Sequence, residues 1–198
     1  MSPIVSGALR AHCVRLHPGE DLVSSILEAA RQTGASACFV VTCVGSLDQV
    51  TLRMASHTAA TGEDTNNHPA RPPTTAIATT EAPIMVNDMR TWNEPFEIVS
   101  LVGTLAPLHN NSKHLHLAIS DANGTVFGGH LISGRVFTTV ELVLGSAEGV
   151  AFSRVPDLTT GFQELVISAS TISSSQPTQI DDPNEAQKSS STKADAEQ

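Results

Sequence analysis

Three histidines in one short stretch are the residues of this sequence best placed for chemistry. The stretch KHLHLAISDANGTVFGGHLISG (113–134) contains His114, His116 and His130. Side chains of an extended strand alternate between its two faces, so His114 and His116 share one face while the neighbouring leucines share the other. Imidazole nitrogens are common ligands of zinc and other transition metals. The spacing therefore predicts a metal site on the polar face of a strand.

The turn that follows decides whether the third histidine joins the first two. The sequence DANGT (121–125) fits a three-residue hairpin loop with Gly124 in the left-handed conformation. The resulting register predicts two cross-strand pairs, His116 with His130 and His114 with Ile132. A two-residue Asn-Gly loop would shift the register by one and turn His130 to the wrong face. The predicted metal site therefore depends on the loop type.

Zinc is the first choice for the ion, because three imidazoles leave its fourth position open. Nickel, copper and iron also bind imidazole and remain alternatives to zinc. The alternative is that all three histidines are partly exposed strand residues without a ligand. Gly128 and Gly129 precede His130 and indicate either a close approach by a ligand or backbone, or a barrel corner.

Composition limits the remaining function classes. The 198 residues carry 11 basic and 20 acidic side chains, a formal net charge of -9 with a pI of about 5.2. This balance opposes non-specific binding to nucleic acid, which needs basic side chains to neutralise phosphates. No stretch has the ~20 apolar residues of a membrane helix, and the first 20 residues do not fit a signal peptide. We therefore expect a cytoplasmic or nuclear protein.

The pattern of apolar residues predicts an α+β domain with a mostly antiparallel, barrel-like β-sheet and one main helix near the N-terminus. The helix is predicted at EDLVSSILEAARQTG (20–34), with Leu22, Ile26, Leu27 and Ala30 on its apolar face. Strands are predicted at 7–16, 36–44, 47–54, 96–106, 113–120, 125–132, 136–144 and 162–167. The cysteines, Cys13, Cys38 and Cys43, are predicted to be small buried residues.

The domain is predicted to span residues 1–168. A Gly-, Pro-, Asn- and Thr-rich segment at 56–83 is predicted to be a flexible insertion, with a lid over a pocket as the alternative. Residues 169–198 are polar and acidic and lack the apolar surface needed to offset the entropy of ordering, so we predict a disordered tail.

Several motifs resemble the plants and prokaryotes conserved (PPC) domain family. PFEIVSLVGTL (95–105) is similar to the family's G-R-F-E-I-L-S-L motif, and HLHLAISDANGTVFGGHLISG (114–134) with VFTTVELVL (136–144) is similar to its second half. GEDLVSSILEAARQTGASACFVVTCVGSLDQVTLR (19–53) resembles its opening, and FSRVPDLTTGFQELVI (152–167) its closing segment. The resemblance covers about residues 7–168.

This resemblance implies a homotrimer and, as in prokaryotic members, a zinc ion held by His114, His116 and His130. In plant members an AT-hook that grips DNA precedes the domain. This sequence contains no R-G-R-P core, and Asn93-Glu94-Pro95 replaces the Gly-Arg before Phe96. The chain therefore resembles the stand-alone form of the domain, in which direct DNA binding is disfavoured.

Three functions remain from the sequence. The first is a trimeric module that uses a zinc site to bind ligands or proteins, and the second is a DNA-associated regulator that acts through partners. The third is a zinc-dependent hydrolase, which would need an acid or base nearby. Its candidates, each more simply interpreted as a surface or turn carboxylate, are Glu141, Asp48, Glu97 and Asp121. Five arginines that alternate with apolar residues are predicted at solvent-facing or interface positions: Arg10, Arg15, Arg53, Arg135 and Arg154.

Overall fold

The computed structural model describes residues 4–55 and 88–170. Within these residues the chain forms one helix and eight strands. In chain order they are β1 (Leu9–Leu16), α1 (Leu22–Gln32), β2 (Cys38–Arg53), β3 (Met89–Trp92), β4 (Phe96–Ala106), β5 (Ser112–Ser120), β6 (Val126–Ala147), β7 (Val150–Pro156) and β8 (Gln163–Ala169). No helix among the described residues is long and apolar enough to cross a membrane.

Strands β1 to β6 form one antiparallel sheet in the order β1-β6-β5-β4-β2-β3. Strand β2 pairs with β6 as well as with β4. Strands β7 and β8 form a separate antiparallel hairpin. The predicted α+β class, with a mostly antiparallel sheet and one helix, is confirmed, whereas the barrel-like shape stays a prediction.

Two pairs of predicted strands are single long strands: 36–44 with 47–54 in β2, and 125–132 with 136–144 in β6. Bulges keep these strands continuous where the sequence pattern breaks. At one of them, the register of β2 against β6 shifts between Gly45 and Leu47. Gly45 has φ +139, and a Cβ there would lie 2.1 Å from the carbonyl oxygen of Thr139. Glycine therefore marks a close backbone approach inside the strand rather than its end.

Strands β3 and β7 are absent from the sequence prediction. Strand β3 is only four residues long. Strand β7 begins after Gly149, which has φ +72, and its apolar pattern is interrupted by Ser153 and Arg154. Both strands are held by pairing with a neighbour, a contact that local sequence patterns do not record.

Helix α1 begins and ends close to the predicted residues. The side chain of Asp21 caps its N-terminus by accepting a hydrogen bond of 2.8 Å from the backbone N–H of Ser24. Gly34, just after the helix, has φ +68, a conformation that glycine adopts without strain. The buried face contains Leu22, Val23, Ile26 and Ala30, and Leu27 packs at its edge.

The core lies between α1 and the inner face of the sheet. Strand β5 contributes Leu115, Leu117 and Ile119, each at most 2% exposed. The leucine-bearing face of β5 is therefore the buried face, as predicted from its alternation.

The cysteine prediction is confirmed for two residues and wrong for one. Cys38 and Cys43 are buried, and burial raises the pKa of the Cys43 thiol to about 12. Cys13 is exposed, because it alternates outward on β1, where Val14 and Leu16 turn toward the core. All three thiols are free.

The predicted insertion at 56–83 lies outside the described residues, as does the predicted tail from residue 171 onward. Ala169 ends strand β8, so ordered structure continues to the first residue of that predicted tail.

Candidate metal centre

The loop between β5 and β6 has the predicted three-residue form. The N–H of Asp121 donates to the carbonyl of Thr125 at 3.0 Å, and the N–H of Gly124 donates to the carbonyl of Asp121 at 3.0 Å. Gly124 has φ +79, in the left-handed region that a side chain would strain. The Asp121 carboxylate accepts backbone hydrogen bonds from Asn123 and Thr125, and the bond from Thr125 is the main cause of its lowered pKa.

This loop sets the register of the hairpin. His116 lies directly opposite His130, and the ladder runs from this pair to Ser120–Val126. The predicted pair of His114 with Ile132 lies beyond the His116–His130 end of the ladder. The cross-strand pairing of two histidines, which the metal prediction requires, is therefore confirmed.

All three imidazole rings converge on the face of the sheet opposite the leucines. The ring centroids lie 4.9 Å apart for His114 and His116, 5.2 Å for His114 and His130, and 5.6 Å for His116 and His130. One nitrogen of each ring lies within 4.8 Å of the other two. Among the described residues, these three form the cluster able to hold a metal ion. We call them the histidine cluster.

The spacing of the nitrogens fits a zinc-sized ion. The Nε2 atoms of His114 and His116 lie 3.1 Å apart. Two nitrogens bound at 2.0–2.1 Å to one tetrahedral ion lie about 3.3 Å apart. These two histidines therefore have the separation that shared coordination requires, with no change of strand register.

One ring nitrogen of His130 lacks a partner, and a bound ligand would provide one. Its Nδ1 is buried and has no hydrogen-bond partner. Burial is the main cause that lowers the pKa of His130 to about 4, with Arg53 the next. Burial also lowers the pKa of His114, followed by the nearby His116. A lowered pKa favours the neutral form of both rings, which is the form that binds metals.

Two arginines border the histidine cluster. Arg53 of β2 lies directly opposite His130 of β6, so both side chains stand on the same face of the sheet. Thr104 of β4 lies opposite His114 in the same way. The hydroxyl of Thr104 accepts a hydrogen bond of 2.8 Å from Nη2 of Arg154. Arg154 is only 8% exposed, so its predicted solvent-facing position is wrong, whereas the interface alternative stays a prediction.

The β7–β8 hairpin covers this border. It supplies Arg154 and, from the turn between the strands, Phe162, whose ring centroid lies 5.2 Å from the guanidinium carbon of Arg53. Burial lowers the pKa of both His114 and Arg154, and the carboxylate of Glu164 on β8 opposes this shift in each case. Sequence reasoning missed the contacts of this hairpin with the border of the histidine cluster, because they depend on long-range packing of strand β7, which was not predicted.

The glycines before His130 mark a backbone approach on both sides of β6. A Cβ at Gly128 would lie 2.4 Å from the carbonyl oxygen of Leu117, and one at Gly129 would lie 2.7 Å from that of Arg53. Of the two readings left open, close approach of neighbouring backbone accounts for both positions.

Two of the four candidate carboxylates for hydrolysis make other contacts. Asp48 forms an ion pair of 2.7 Å with Arg135, and Asp121 holds the hairpin loop. Glu97 and Glu141 are exposed on β4 and β6. The metal-sized cluster among the described residues contains none of the four.

Residues 4–148 match the Plants and Prokaryotes Conserved (PCC) domain, the family that the motifs resemble. The chain belongs to this family. The match covers strands β1 to β6 and the helix, and the β7–β8 hairpin follows it in the chain.

The chain is similar to parts of longer curated proteins. It is 38% identical over 166 residues to "Bifunctional protein GlmU" of Synechococcus sp. strain JA-3-3Ab, covering 83% of this chain and 22% of that protein. It is 28% identical over 151 residues to "AT-hook motif nuclear-localized protein 29" of Arabidopsis thaliana, covering 75% of this chain and 43% of that protein. The chain thus spans about a fifth to less than half of the length of these relatives.

Solved structures from several organisms share the fold. A hypothetical protein of Salmonella cholerae-suis is 31% identical, with a TM-score of 0.64 over 83% of this chain and 97% of its own. The metal-containing protein AF0104 of Archaeoglobus fulgidus is 22% identical, with a TM-score of 0.60 over 83% of this chain and 99% of its own. A PPC protein of Pyrococcus horikoshii is 20% identical, with a TM-score of 0.58, covering 81% of this chain and 97% of its own.

Proposed function

We propose that this PCC-domain protein binds one zinc ion per chain through His114, His116 and His130, assembles as a homotrimer, and acts as a ligand- or protein-interaction module. The observation that carries the proposal is the convergence of three imidazole nitrogens within 4.8 Å on one face of the sheet. A register error of one residue in the hairpin would remove this convergence.

The donor set favours zinc. Three neutral imidazoles suit zinc and leave a fourth position for water or a ligand. The orphaned Nδ1 of His130 adds a local reason for an ion or a bound solvent molecule at this place. The protein of the same fold from Archaeoglobus fulgidus is described as metal-containing. Because that likeness concerns the fold alone, the histidines of this chain carry the proposal.

A group of exposed valines on two neighbouring strands supports assembly. These residues, which we call the valine patch, are 51–54% exposed: Val41, Val44, Val99 and Val102. Strands β2 and β4 keep one register before and after the patch, with pairs Phe39–Thr104 and Ser46–Glu97. The valines therefore lie along the same length of two adjacent strands. Apolar groups clustered in this way typically mark an interface, and three copies is the number that the family resemblance implies.

Elemental analysis tests the metal proposal. We expect about one zinc per wild-type chain and none in the triple variant His114→Ala/His116→Ala/His130→Ala. His17→Ala is the matched control, because His17 is exposed at the end of β1 and outside the histidine cluster. An equal metal content in the wild type and the triple variant would contradict the proposal.

Size-exclusion chromatography with light scattering tests the assembly. We expect a trimer for the wild type and a monomer for Val44→Glu, since a buried charge without a partner opposes association. Val126 is similarly exposed, at 54%, but lies at the start of β6 beside the hairpin loop and outside the patch. Val126→Glu should stay trimeric. A monomeric wild type at micromolar concentration would argue against the assembly.

Similarity to AT-hook motif nuclear-localized protein 29 favours a second candidate, a DNA-associated regulator that acts through protein partners. The net charge of -9 favours recruitment by a partner over direct contact with phosphates. An electrophoretic mobility shift assay with AT-rich duplex at low salt would distinguish recruitment by a partner from direct DNA contact, and we expect no shift by the chain alone. Tight binding by the chain alone would support direct contact instead.

A further inference from the structure

Positive charge collects around the histidine cluster of an acidic protein. Arg53 lies opposite His130, and Arg154 is hydrogen-bonded to the cross-strand neighbour of His114. Neutral imidazoles do not reduce the charge of a bound dication, so the arginines add to a centre that is already positive.

The nearby acidic residues do not balance this charge. Glu164 is the carboxylate whose field reaches both His114 and Arg154, and its Oε1 already accepts a hydrogen bond of 2.8 Å from the hydroxyl of Thr160. Within residues 4–55 and 88–170, neither Arg53 nor Arg154 forms an ion pair. With a bound dication, the two guanidinium groups and this carboxylate of the described residues would leave the centre positive.

Two of the residues around this centre also carry an unpaired buried nitrogen. Two buried side-chain nitrogens among the described residues lack a partner, and they are Nδ1 of His130 and Nε of Arg154. Nη1 and Nη2 of Arg154 each donate to a neutral acceptor, the carbonyl of Gln163 and the hydroxyl of Thr104. A buried guanidinium N–H without an acceptor is costly, and an anion is the acceptor that it binds best.

We propose that a metal ion held by the histidine cluster binds an oxyanion, a carboxylate or phosphate group, at its open position. Arg53 and Arg154 bind the same group. This inference rests on the proposed metal site and adds the class of its ligand. An oxyanion has several oxygens, so one can bind the ion while another accepts from a guanidinium group. The Phe162 ring beside Arg53 restricts the directions that this guanidinium can take.

Cobalt-loaded protein gives a readout that does not depend on activity. Co²⁺ replaces Zn²⁺ in imidazole sites, and its visible absorption spectrum changes when a fourth ligand binds. Acetate and inorganic phosphate are titrated separately at constant ionic strength with perchlorate as the balancing salt. We expect a saturable spectral change with acetate, phosphate or both, and the anion that saturates at the lower concentration identifies the carboxylate or the phosphate class.

Arg53→Gln should weaken the binding of that anion by at least about tenfold, since a charge-assisted hydrogen bond is lost. Arg53→Lys should keep part of the affinity because it keeps the charge. Arg135→Gln is the matched control, because Arg135 is exposed and paired with Asp48 away from the cluster. Its anion affinity should equal that of the wild type. Circular dichroism melting of each variant checks that the fold is intact.

The outcomes separate the two levels of the argument. If cobalt binds but neither anion changes its spectrum, or if Arg53→Gln and Arg135→Gln bind the anion equally well, the oxyanion inference is overturned and the metal site stands. If cobalt does not bind to the wild type, the proposed metal site itself is overturned, and the oxyanion site falls with it.

Discussion

The two faces of strand β5 have opposite roles, although they are built from alternate residues of one segment. Leu115, Leu117 and Ile119 on the inner face are at most 2% exposed. His114 and His116 on the outer face are exposed and approach His130 of the neighbouring strand. Packing of the inner face fixes the position of the hairpin, and this position brings the histidines of the outer face together.

This division separates stability from chemistry. Substitutions on the inner face should remove packing and cost stability, whereas substitutions on the outer face should change binding and leave the metal-free fold intact. Both faces depend on the same register, which the loop at 121–125 sets. The faces can therefore be changed one at a time by side-chain variants, or together by a change in the loop.

Removing one ligand should have the largest effect. We expect His116→Asn to weaken zinc binding by more than about 100-fold, since even groups that only support a ligand reach that range. The metal-free stability should change by less than about 0.5 kcal/mol, because the side chain is exposed. Competition with a chromophoric chelator measures the affinity, and urea unfolding measures the stability. Unchanged zinc affinity would remove His116 from the ligand set.

Cutting the inner face should show the reverse pattern. Leu117→Ala removes a side chain that is 2% exposed and should destabilise the protein by about 2–5 kcal/mol. Provided that the variant folds, its zinc affinity should stay near that of the wild type. Urea unfolding of the metal-free protein gives the first quantity, and chelator competition gives the second. A loss below about 0.5 kcal/mol would mean that β5 does not pack as described.

The histidine face could be predicted from sequence because every step was local. Alternation placed His114 and His116 together, and the DANGT loop placed His116 opposite His130. The arginine border could not be found in this way. Arg53 is separated from His130 by 77 positions, and the hydrogen bond between Thr104 and Arg154 joins residues 50 positions apart. Contacts of that range follow from the pairing of distant strands and from the packing of the β7–β8 hairpin against the sheet.

The same limit explains the errors in the strands. Bulges near Gly45 keep β2 continuous because a neighbouring backbone approaches there, whereas the sequence alone offers a glycine that reads as a break. The register of β5 with β6 was accessible because a short loop with one left-handed glycine allows few alternatives.

Changing the loop should affect both faces, but less strongly. Gly124→Ala places a side chain at φ +79 and should cost about 1–2 kcal/mol. Gly149→Ala is a matched control, because Gly149 has φ +72 and, like Gly124, has nothing within 4 Å of an added Cβ. Both variants should lose similar stability in urea unfolding. Only Gly124→Ala should also weaken zinc binding, and equal zinc affinities would show that the register tolerates strain in the loop.

Acid should produce the smallest and most specific difference. In the metal-free protein the pKa of His130 is lowered from 6.5 to about 4, mainly by burial. The unfolded chain therefore takes up a proton at this residue before the folded chain does. The contribution of His130 to stability is complete above about pH 6.5 and is lost as the pH falls toward about 4.

Replacing the group that titrates should flatten this part of the curve. We expect His130→Asn to lose less stability than the wild type between these two pH values, whereas His17→Asn, which changes an exposed histidine at the end of β1, should follow the wild type. Urea unfolding with a chelator present, repeated across the range, measures the three slopes. Because His130 is half-buried, solvent screens part of the effect and the difference should be modest. Identical slopes for all three proteins would mean that the surroundings of His130 in the folded protein do not lower its pKa.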